Sequence, residues 1–483
     1  MTAARPPIIW IAGALAVPLL VAIGFLAGAD PKFGIVAALA LVYGFIVVTD
    51  LSLALNLMVV TVFSDTTPLA GSVVSVTKIV GLLLAVGWLV RVATREEDRR
   101  TTLFTEHPVA SYLLVLLVVW IGTSALWAQD VALAFDRASV FVLAAMLYVI
   151  VYTAVRTRRN AMTLLGTFVL GTAFTAGYGL VLRPEADQSA ERLASTIADP
   201  NLLGAILVAG IVLAGASLIA ARGHRLLQLG AVIAIGLCLG AFVLTGSRGG
   251  VVGLVAALIA ALIFGGRWRL HVVLGATAIV TLAIGYYATL APQSFLDRFA
   301  GATSGEVSQR DTRLTIWTVA WRMSLDHPIN GVGIGNFPVR SVDYTIRPGT
   351  TYRTDRVIDD PAVPHNTYLG PLAETGLVGF GLLMSIFVFS IGSGVRAVRR
   401  FARSGDRAME ALSRGLVIAL IGTLTSAFFI SAEADKFIWL MLAMGPAFLG
   451  VASRVPVREA APRARRSQPL PSSAAGRPWA SPS

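Results

Sequence analysis

The stretch LLQLGAVIAIGLCLGAFVLTGSRGGVVGLVAALIAALIFG, residues 226–265, decides the class of fold. It consists of two apolar runs separated by the turn Thr245–Gly250, and its only charged residue is Arg248. A helix needs roughly 20 apolar residues to cross the hydrocarbon core of a bilayer, and each run approaches that length. The stretch therefore predicts two membrane-spanning helices joined by a tight turn.

The same composition extends over most of the chain. Of its 483 residues, 56% are hydrophobic and 14% are charged, and the mean hydropathy is +0.75. Soluble domains carry roughly a quarter charged residues, so a soluble Rossmann or TIM-barrel enzyme and a disordered scaffold are excluded. The weak, alternating hydropathy of outer-membrane β-barrels does not match either. We expect an all-α integral membrane protein. Its one cysteine, Cys238, excludes a disulfide framework, a Cys-rich zinc site or an iron–sulfur cluster within the chain.

Apolar runs mark the expected membrane-spanning helices. They lie at about 8–27, 33–49, 51–64, 74–92, 108–127, 137–154, 161–181, 201–221, 226–244, 250–265, 270–290, 367–394, 413–432 and 436–452. Because 33–64 can also form one short hairpin, we expect twelve to fourteen helices. The first run is too long for a signal peptide and lacks a small-residue cleavage site after it, which favours a retained helix.

Arginines in the short loops predict the orientation. They follow the even-numbered runs, at Arg95, Arg99, Arg100, Arg156, Arg158, Arg159, Arg222, Arg225, Arg267, Arg269, Arg396, Arg399, Arg400 and Arg403. By the positive-inside rule these loops and both termini lie on the cytoplasmic side of the membrane. We expect that membrane to be a bacterial cytoplasmic membrane. The same loops explain the net charge of +12 without a nucleic-acid partner.

Four regions follow from this topology. Residues 1–290 hold the N-terminal transmembrane helices, 291–366 form one large periplasmic or extracellular loop, and 367–453 hold the C-terminal transmembrane helices. Residues 454–483, rich in Arg, Pro, Ser and Ala, are expected to be a disordered cytoplasmic tail. A long ordered loop in a compact membrane protein is usually functional.

Two of the five histidines, His327 and His365, fall on the outward face. His365 lies where the large loop re-enters the membrane, and the free pKa of a histidine near neutrality suits a general base there. The alternative is a capping or interface histidine. His327 precedes Pro328, which is typical of the C-terminal end of a helix.

Arg248 stands between two apolar runs with almost no loop around it. A charge in such a position is costly and is normally functional or paired. The neighbouring glycines let backbone amides approach a ligand, and guanidinium matches phosphate in bidentate fashion. The motif predicts an anion clamp for a phosphate; a plain turn whose arginine reaches the interface is the alternative.

The segment 313–328 predicts an amphipathic helix inside the large loop. Leu314, Trp317, Trp321 and Leu325 fall at helical spacing on one face, as in helices that lie at the membrane interface. Arg310 and Arg313 would stand at its N-terminus, where the helix dipole favours an anion. A helix that merely caps the bundle is the alternative.

A glycine-rich string, Gly331–Phe337, follows this helix. It lacks the lysine of a nucleotide-binding loop and opens no βαβ unit, so a turn packed against a helix or a lipid headgroup is expected. The outward carboxylates show no Asp-x-Asp pair and no His/carboxylate cluster with metal-ligand spacing. A metal-free mechanism without a cofactor is therefore expected.

Together these motifs resemble the family of O-antigen ligases and O-antigen polymerases. The residues that carry the resemblance are Thr245–Gly249, the stretch from Arg313 through Asp326-His327-Pro328 to Phe337, and His365-Asn366 followed after nine residues by Gly376. The motifs span about residues 195–440. One position departs from the family's pattern, because Gly379 stands where a threonine is often found.

The resemblance implies a glycosyltransferase of the GT-C type. Such enzymes move a glycan from undecaprenyl diphosphate to a sugar hydroxyl on the outer side of the cytoplasmic membrane, with inversion and without a nucleotide sugar. Carried over to this chain, the resemblance makes His365 the base. It makes Arg248 and Arg313 the diphosphate ligands, with Ser247, Arg310 and Asn366 beside them at the donor site. The partners are the lipid-linked glycan donor, a glycan or glycolipid acceptor, and the bilayer.

Three alternatives remain open at the level of sequence. A polymerase of the same family would transfer to another lipid-linked glycan, and the motifs do not separate it from a ligase. A transporter or flippase predicts ionisable residues buried in mid-helix, broken helices and often internal repeats, and the sequence shows none of these clearly. A structural membrane scaffold leaves Arg248 and His365 unexplained.

Overall fold

The structure is a computed structural model. It describes residues 31–64, 76–94, 102–182, 192–275, 304–347 and 363–454, with the single positions 28, 277 and 281; residues 31–33 and 304–311 are described by their backbone. Several expectations fall outside these residues: the run 8–27, most of the run 270–290, two parts of the large loop, and the tail beyond 454.

Helices make up nearly all of the described chain, and strands are absent from it. The helices are α1 Pro31–Thr49, α2 Leu51–Ser64, α3 Val76–Thr94, α4 Pro108–Thr123, α5 Val131–Ala154, α6 Arg158–Leu182, α7 Pro200–Ala220, α8 Arg225–Thr245, α9 Arg248–Phe264, α10 Ser304–Asp326, α11 Phe337–Thr345, α12 Leu369–Ser404, α13 Arg407–Ser426 and α14 Lys436–Arg454. The expectation of an all-α integral membrane protein is confirmed.

The described residues test part of the prediction of twelve to fourteen membrane-spanning helices. Nine helices there are long and apolar enough to cross a membrane, and α9 joins them as a tenth if the bend of 116° between it and Gly266–Gly275 lies within one span. The shorter helices α1 and α2 are separated by Asp50 and pack against each other, which is the hairpin expected for 33–64. The run 8–27 and most of the run 270–290, which the expected number includes, lie outside the described residues.

The most buried helix is α14, in which 89% of the best apolar window lies inside the protein. It packs against α12, α5 and α13, and α13 in turn packs against α7 and α9. By contrast, only 28% of the corresponding window is buried in α3 and in α8. The outward faces of the peripheral helices are apolar, as Leu226 at 84% exposure and Leu170 at 69% illustrate, and such faces suit contact with lipid.

Ion pairs connect the arginine-rich ends of the helices. Arg158 pairs with Asp406 at 2.9 Å, and Arg454 pairs with Glu106 at 2.9 Å. Glu410 binds both Arg267 and Arg414. Loops that the arginine pattern assigns to one side of the membrane therefore meet at one end of the bundle, which we call the arginine end. The described parts of the large loop, 304–347 and 363–366, and the turn Thr245–Gly250 lie at the opposite end.

The glycine-rich string Gly331–Phe337 packs against the first turns of α12, one of the two outcomes expected for it. The N–H groups of Val332 and Gly333 donate to the carbonyls of Ala373 and Glu374 at 3.0 and 2.9 Å. The N–H of Phe337 donates to the buried Glu374 carboxylate at 3.1 Å. A side chain at Gly331 would collide with the backbone of α12, so this contact requires glycine.

The helix predicted over 313–328 is present as α10, but its start differs from the expected one and its apolar residues lie on two sides. It begins at Ser304, so Arg310 and Arg313 lie inside the helix and not at its N-terminus, and the dipole argument for these two residues was wrong. Of the predicted stripe, Trp321 and Leu325 stay exposed, and the residues that pack inside the protein are Ile316, Val319 and Met323. A helix can also continue through polar residues such as those of 304–311. His327 follows the last residue of α10, as its position before Pro328 predicts.

Candidate active site

His365 lies immediately before α12 in a strained backbone conformation. Its φ is +47°, in the left-handed region that residues other than glycine rarely occupy. The flanking chain is fixed on both sides: Pro364 O accepts a hydrogen bond from Trp317 Nε1 at 3.0 Å, and Thr367 Oγ1 donates to Ile430 O at 2.7 Å. Strain of this kind persists only where surrounding contacts impose it, and it is typical of functional sites.

Asn366 connects this histidine to the helix that follows. Its side-chain oxygen accepts the N–H groups of Tyr368 and Leu369, both at 2.9 Å, and so caps the start of α12. The side chain is fully buried, and its amide nitrogen has no hydrogen-bond partner among the described residues. Asn366 therefore holds the backbone next to His365 and keeps one buried donor available.

Ser247 and Arg248 start α9. The Ser247 hydroxyl accepts the N–H of Gly250 at 3.1 Å, and the serine itself is buried. Arg248 is the first residue of the helix and is exposed. A Cβ at Gly249 would approach Phe429 to 2.9 Å, so glycine here permits close packing against the segment that follows α13. The turn thus presents Arg248 while its serine serves as the cap.

Arg313 lies on α10 and faces the same region. Burial lowers the pKa of Arg313; the carboxylate of Asp199 raises it, and the charge of Arg248 lowers it. These effects require that the three side chains are near one another. Arg310 is one turn earlier on α10, within the part described by its backbone.

The pKa of His365 is affected by two of the same charged residues, Arg313 and Asp199. Burial lowers the pKa of the imidazole, the positive charge of Arg313 lowers it further, and Asp199 raises it. The charge of Arg313 therefore acts on His365, and that of Arg248 acts on Arg313, although Arg248 and His365 are more than a hundred residues apart in the sequence. A lowered pKa keeps the imidazole neutral, and hence able to accept a proton, at neutral pH.

Two residues at this place were not assigned a role from the sequence. Asp199 caps α7 by accepting the N–H groups of Asn201 and Leu202 at 2.7 and 3.0 Å. Arg192 donates from Nε to Thr245 O at 2.8 Å and from NH2 to Asn201 Oδ1 at 2.7 Å. The Asp-Pro pair at the start of an apolar run is a helix N-terminus pattern that could have revealed Asp199. Nothing in the local sequence distinguishes Arg192.

The arrangement suits an anion that sits beside a proton acceptor. The helices α7, α9 and α12 all begin at this end of the bundle, and helix N-termini favour negative charge. Arg248 and Arg313 add full positive charges, and Asp199 adds a negative one near Arg313. Among the described residues there is no group of three or more His, Cys, Asp and Glu side chains that could hold a metal ion.

Comparison with known protein families places part of this chain in a family. Residues 232–384 match the O-antigen ligase family. The matched region runs from α8 to the first half of α12 and includes Ser247, Arg248, Arg313 and His365. No curated protein matches the sequence. The chain is thus a multi-helix membrane protein whose residues 232–384 match the O-antigen ligase family.

Proposed function

We propose that the protein is a glycosyltransferase that moves a glycan from undecaprenyl diphosphate to a sugar hydroxyl on the outer face of the bacterial cytoplasmic membrane. The observation that carries the proposal is that Arg313 acts electrostatically on His365, and Arg248 on Arg313, at the end of the bundle opposite the arginine end. The family match supports the class of reaction. The arginine end supports the orientation, because it would face the cytoplasm and leave the site facing outward.

The reaction needs two kinds of help, and the residues supply both. The bond between the sugar and the diphosphate breaks, so negative charge grows on the departing diphosphate; Arg248 and Arg313 stabilise that charge. The acceptor hydroxyl attacks the anomeric carbon from the opposite face and loses its proton to neutral His365. The configuration at the anomeric carbon inverts, and the products are the lengthened acceptor and undecaprenyl diphosphate.

Asn366 has a supporting part in this proposal. Its capping bonds fix the backbone that carries His365, and its unused amide donor offers a hydrogen bond to an oxygen of the substrate. Ser247 positions Arg248 through the cap of α9. Arg310 would add a further cation near the donor.

The first experiment removes the proposed base. In His365→Ala, transfer of glycan from purified undecaprenyl-diphosphate-linked donor should fall by about 10²- to 10⁴-fold, the usual contribution of general base catalysis. The matched control is His327→Ala, the other outward histidine, which should keep wild-type transfer. Both proteins are checked for insertion in the membrane. Activity of the His365→Ala protein within a few-fold of wild type would remove this residue from the mechanism.

The second experiment removes the proposed diphosphate ligands. Arg248→Gln and Arg313→Gln should each lower the turnover by about 10²-fold, as the loss of one transition-state donor does. Arg340→Gln on α11 is the control, because Arg340 reaches Gln129 at 3.3 Å and not the proposed site. Unchanged turnover in both variants would contradict the clamp.

A third measurement separates a ligase from a polymerase. The protein is incubated with lipid-linked glycan and no other acceptor. A ladder of longer lipid-linked products identifies a polymerase, whereas transfer only after a separate glycan or glycolipid is added identifies a ligase. Movement of the intact donor across vesicles without bond cleavage would instead indicate a transporter.

A further inference from the structure

A second cavity lies at the arginine end, far from the proposed active site. It has a volume of about 420 Å³ and is lined by Ile219, Ala220, Arg222, Arg267, Trp268, Arg407 and Ala408. Its walls come from the end of α7, the turn after α9 and the start of α13. The glycosyl transfer proposed above takes place at the other end of the bundle and does not involve this cavity. We propose that this cavity binds the headgroup of an anionic phospholipid.

The charge of the cavity is strongly positive. Three arginines line it, and Arg414 stands behind them, with its guanidinium 5.9 Å from the ring of Trp268. Within the described part of the chain, Glu410 is the one carboxylate bound to these arginines, and it is shared by Arg267 and Arg414. Arg222 contacts His271 at 3.4 Å, and Arg407 makes no ion pair with any described residue. An anion is the ligand that this imbalance favours.

The lining is also partly apolar, and this points to a lipid in place of a free anion. Ile219, Ala220 and Ala408 contribute hydrocarbon, and the buried Trp268 lies beneath the guanidinium of Arg267 at 5.0 Å. A phosphate attached to hydrocarbon chains satisfies both kinds of surface. The volume is within the range of roughly 300–1,000 Å³ found for small-molecule sites, and a bare phosphate would not need it.

The depth of the cavity along the helices matches the depth at which lipid headgroups lie. Helix α7 ends at Ala220, α9 ends at Phe264, and α13 begins at Arg407, so the cavity lies where these apolar helices leave the hydrocarbon. Basic pockets between helices on the cytoplasmic side are suited to acidic headgroups, and each arginine near the surface contributes about 1 kcal/mol to such binding.

The test uses the full-length protein in a zwitterionic detergent. Dioleoyl-phosphatidylglycerol or dioleoyl-phosphatidylcholine is titrated, and lipid retention is measured by native mass spectrometry together with the midpoint of thermal unfolding. Wild type should retain phosphatidylglycerol selectively and unfold at higher temperature with it. Arg222→Gln/Arg407→Gln should bind it about thirtyfold more weakly, and Arg222→Lys/Arg407→Lys should recover part of the loss.

The matched control is Arg159→Gln/Arg399→Gln, which removes two exposed arginines from the same end of the bundle but outside the cavity. It should bind phosphatidylglycerol as wild type does. Equal loss in both double variants would show a general surface charge effect and overturn the proposal. Equal retention of phosphatidylcholine would overturn it as well. So would binding of inorganic phosphate without any retained phosphatidylglycerol. None of these readouts depends on glycan transfer.

Discussion

At His365, two neighbouring charges act on the imidazole in opposite directions. Burial and Arg313 lower its pKa, and Asp199 raises it. Because the neutral imidazole is the form that accepts a proton, transfer should remain active as the pH falls below about 6.5, where an ordinary histidine becomes protonated. The acidic limb of the pH–rate profile should therefore lie below that value.

Variants of the two neighbours should move this limb in opposite directions. Arg313→Gln removes a cause that lowers the pKa of His365, so the limb should shift to higher pH even though the plateau also falls. Asp199→Asn removes a cause that raises it, so the limb should shift to lower pH, while asparagine still caps α7. The measurement is the pH dependence of kcat/KM for glycan transfer. Shifts in the same direction in both variants would contradict the proposed neighbourhood.

Residue chemistry made part of the candidate site predictable. Two residues are conspicuous in the sequence: an arginine between two apolar runs, and a histidine where a long loop returns to the membrane. They are conspicuous because placing polar or charged groups in or beside the membrane is costly. Asp199 carries only a helix N-terminus pattern and Arg192 carries no pattern, because contacts across the fold are what bring both to the site. Local sequence does not contain those contacts.

At the scale of the helix, Gly376 interrupts α12 with a φ of +63°. A Cβ at this position would approach the carbonyl of Ile329 to 2.3 Å, where the chain after α10 crosses the helix. Gly376→Ala should therefore lower the free energy of unfolding by about 2 kcal/mol or more, from the left-handed strain alone and further from the collision.

The control lies one turn and a half further along the same helix. Gly381 has open space around its Cβ position, so Gly381→Ala should be neutral or stabilising by up to about 1 kcal/mol. Thermal unfolding of both proteins in detergent measures the difference. Equal midpoints for the two variants would show that the interruption at Gly376 is not required.

This helix also explains two features of the sequence motif. Gly376, which nine residues separate from Asn366, is needed for the crossing of the chain at Ile329. The glycine at position 379, where relatives of the motif often have threonine, leaves room for Thr375 and for the Trp120 ring. The sequence predicted that the helix exists, but periodicity alone does not report an interruption that another segment imposes. The early start of α10 at Ser304 was missed for a similar reason, since polar turns leave no apolar pattern.

At the scale of the whole molecule, the two ends of the bundle should face opposite sides of the membrane. Arg159 lies at the arginine end, and Arg340 lies on α11 at the other. In intact cells, a membrane-impermeant maleimide should label Arg340→Cys, and it should label Arg159→Cys only after the membrane is permeabilised. The native Cys238 is fully buried and should not react in either case. Labelling in the reverse pattern would invert the orientation and contradict the proposed outward site.

The general architecture was the most predictable part, because hydrophobic runs and loop arginines reflect the bilayer directly. Which helices occupy the centre was not predictable in the same way. The hydropathy of α14 is lower than that of α8, yet α14 is far more buried. In lipid, apolarity does not distinguish a central helix from a peripheral one, so position is decided by packing.

The helix α10 has apolar residues on two sides. Ile316, Val319 and Met323 are buried within the protein, whereas Trp321 and Leu325 remain 52% and 61% exposed. If residues 304–347 were produced alone, as an immunogen or a crystallisation target, the inner surface would lose its cover and the outer one would meet water. Such a fragment would self-associate, so reagents against this part of the molecule need the whole membrane-embedded protein as their antigen.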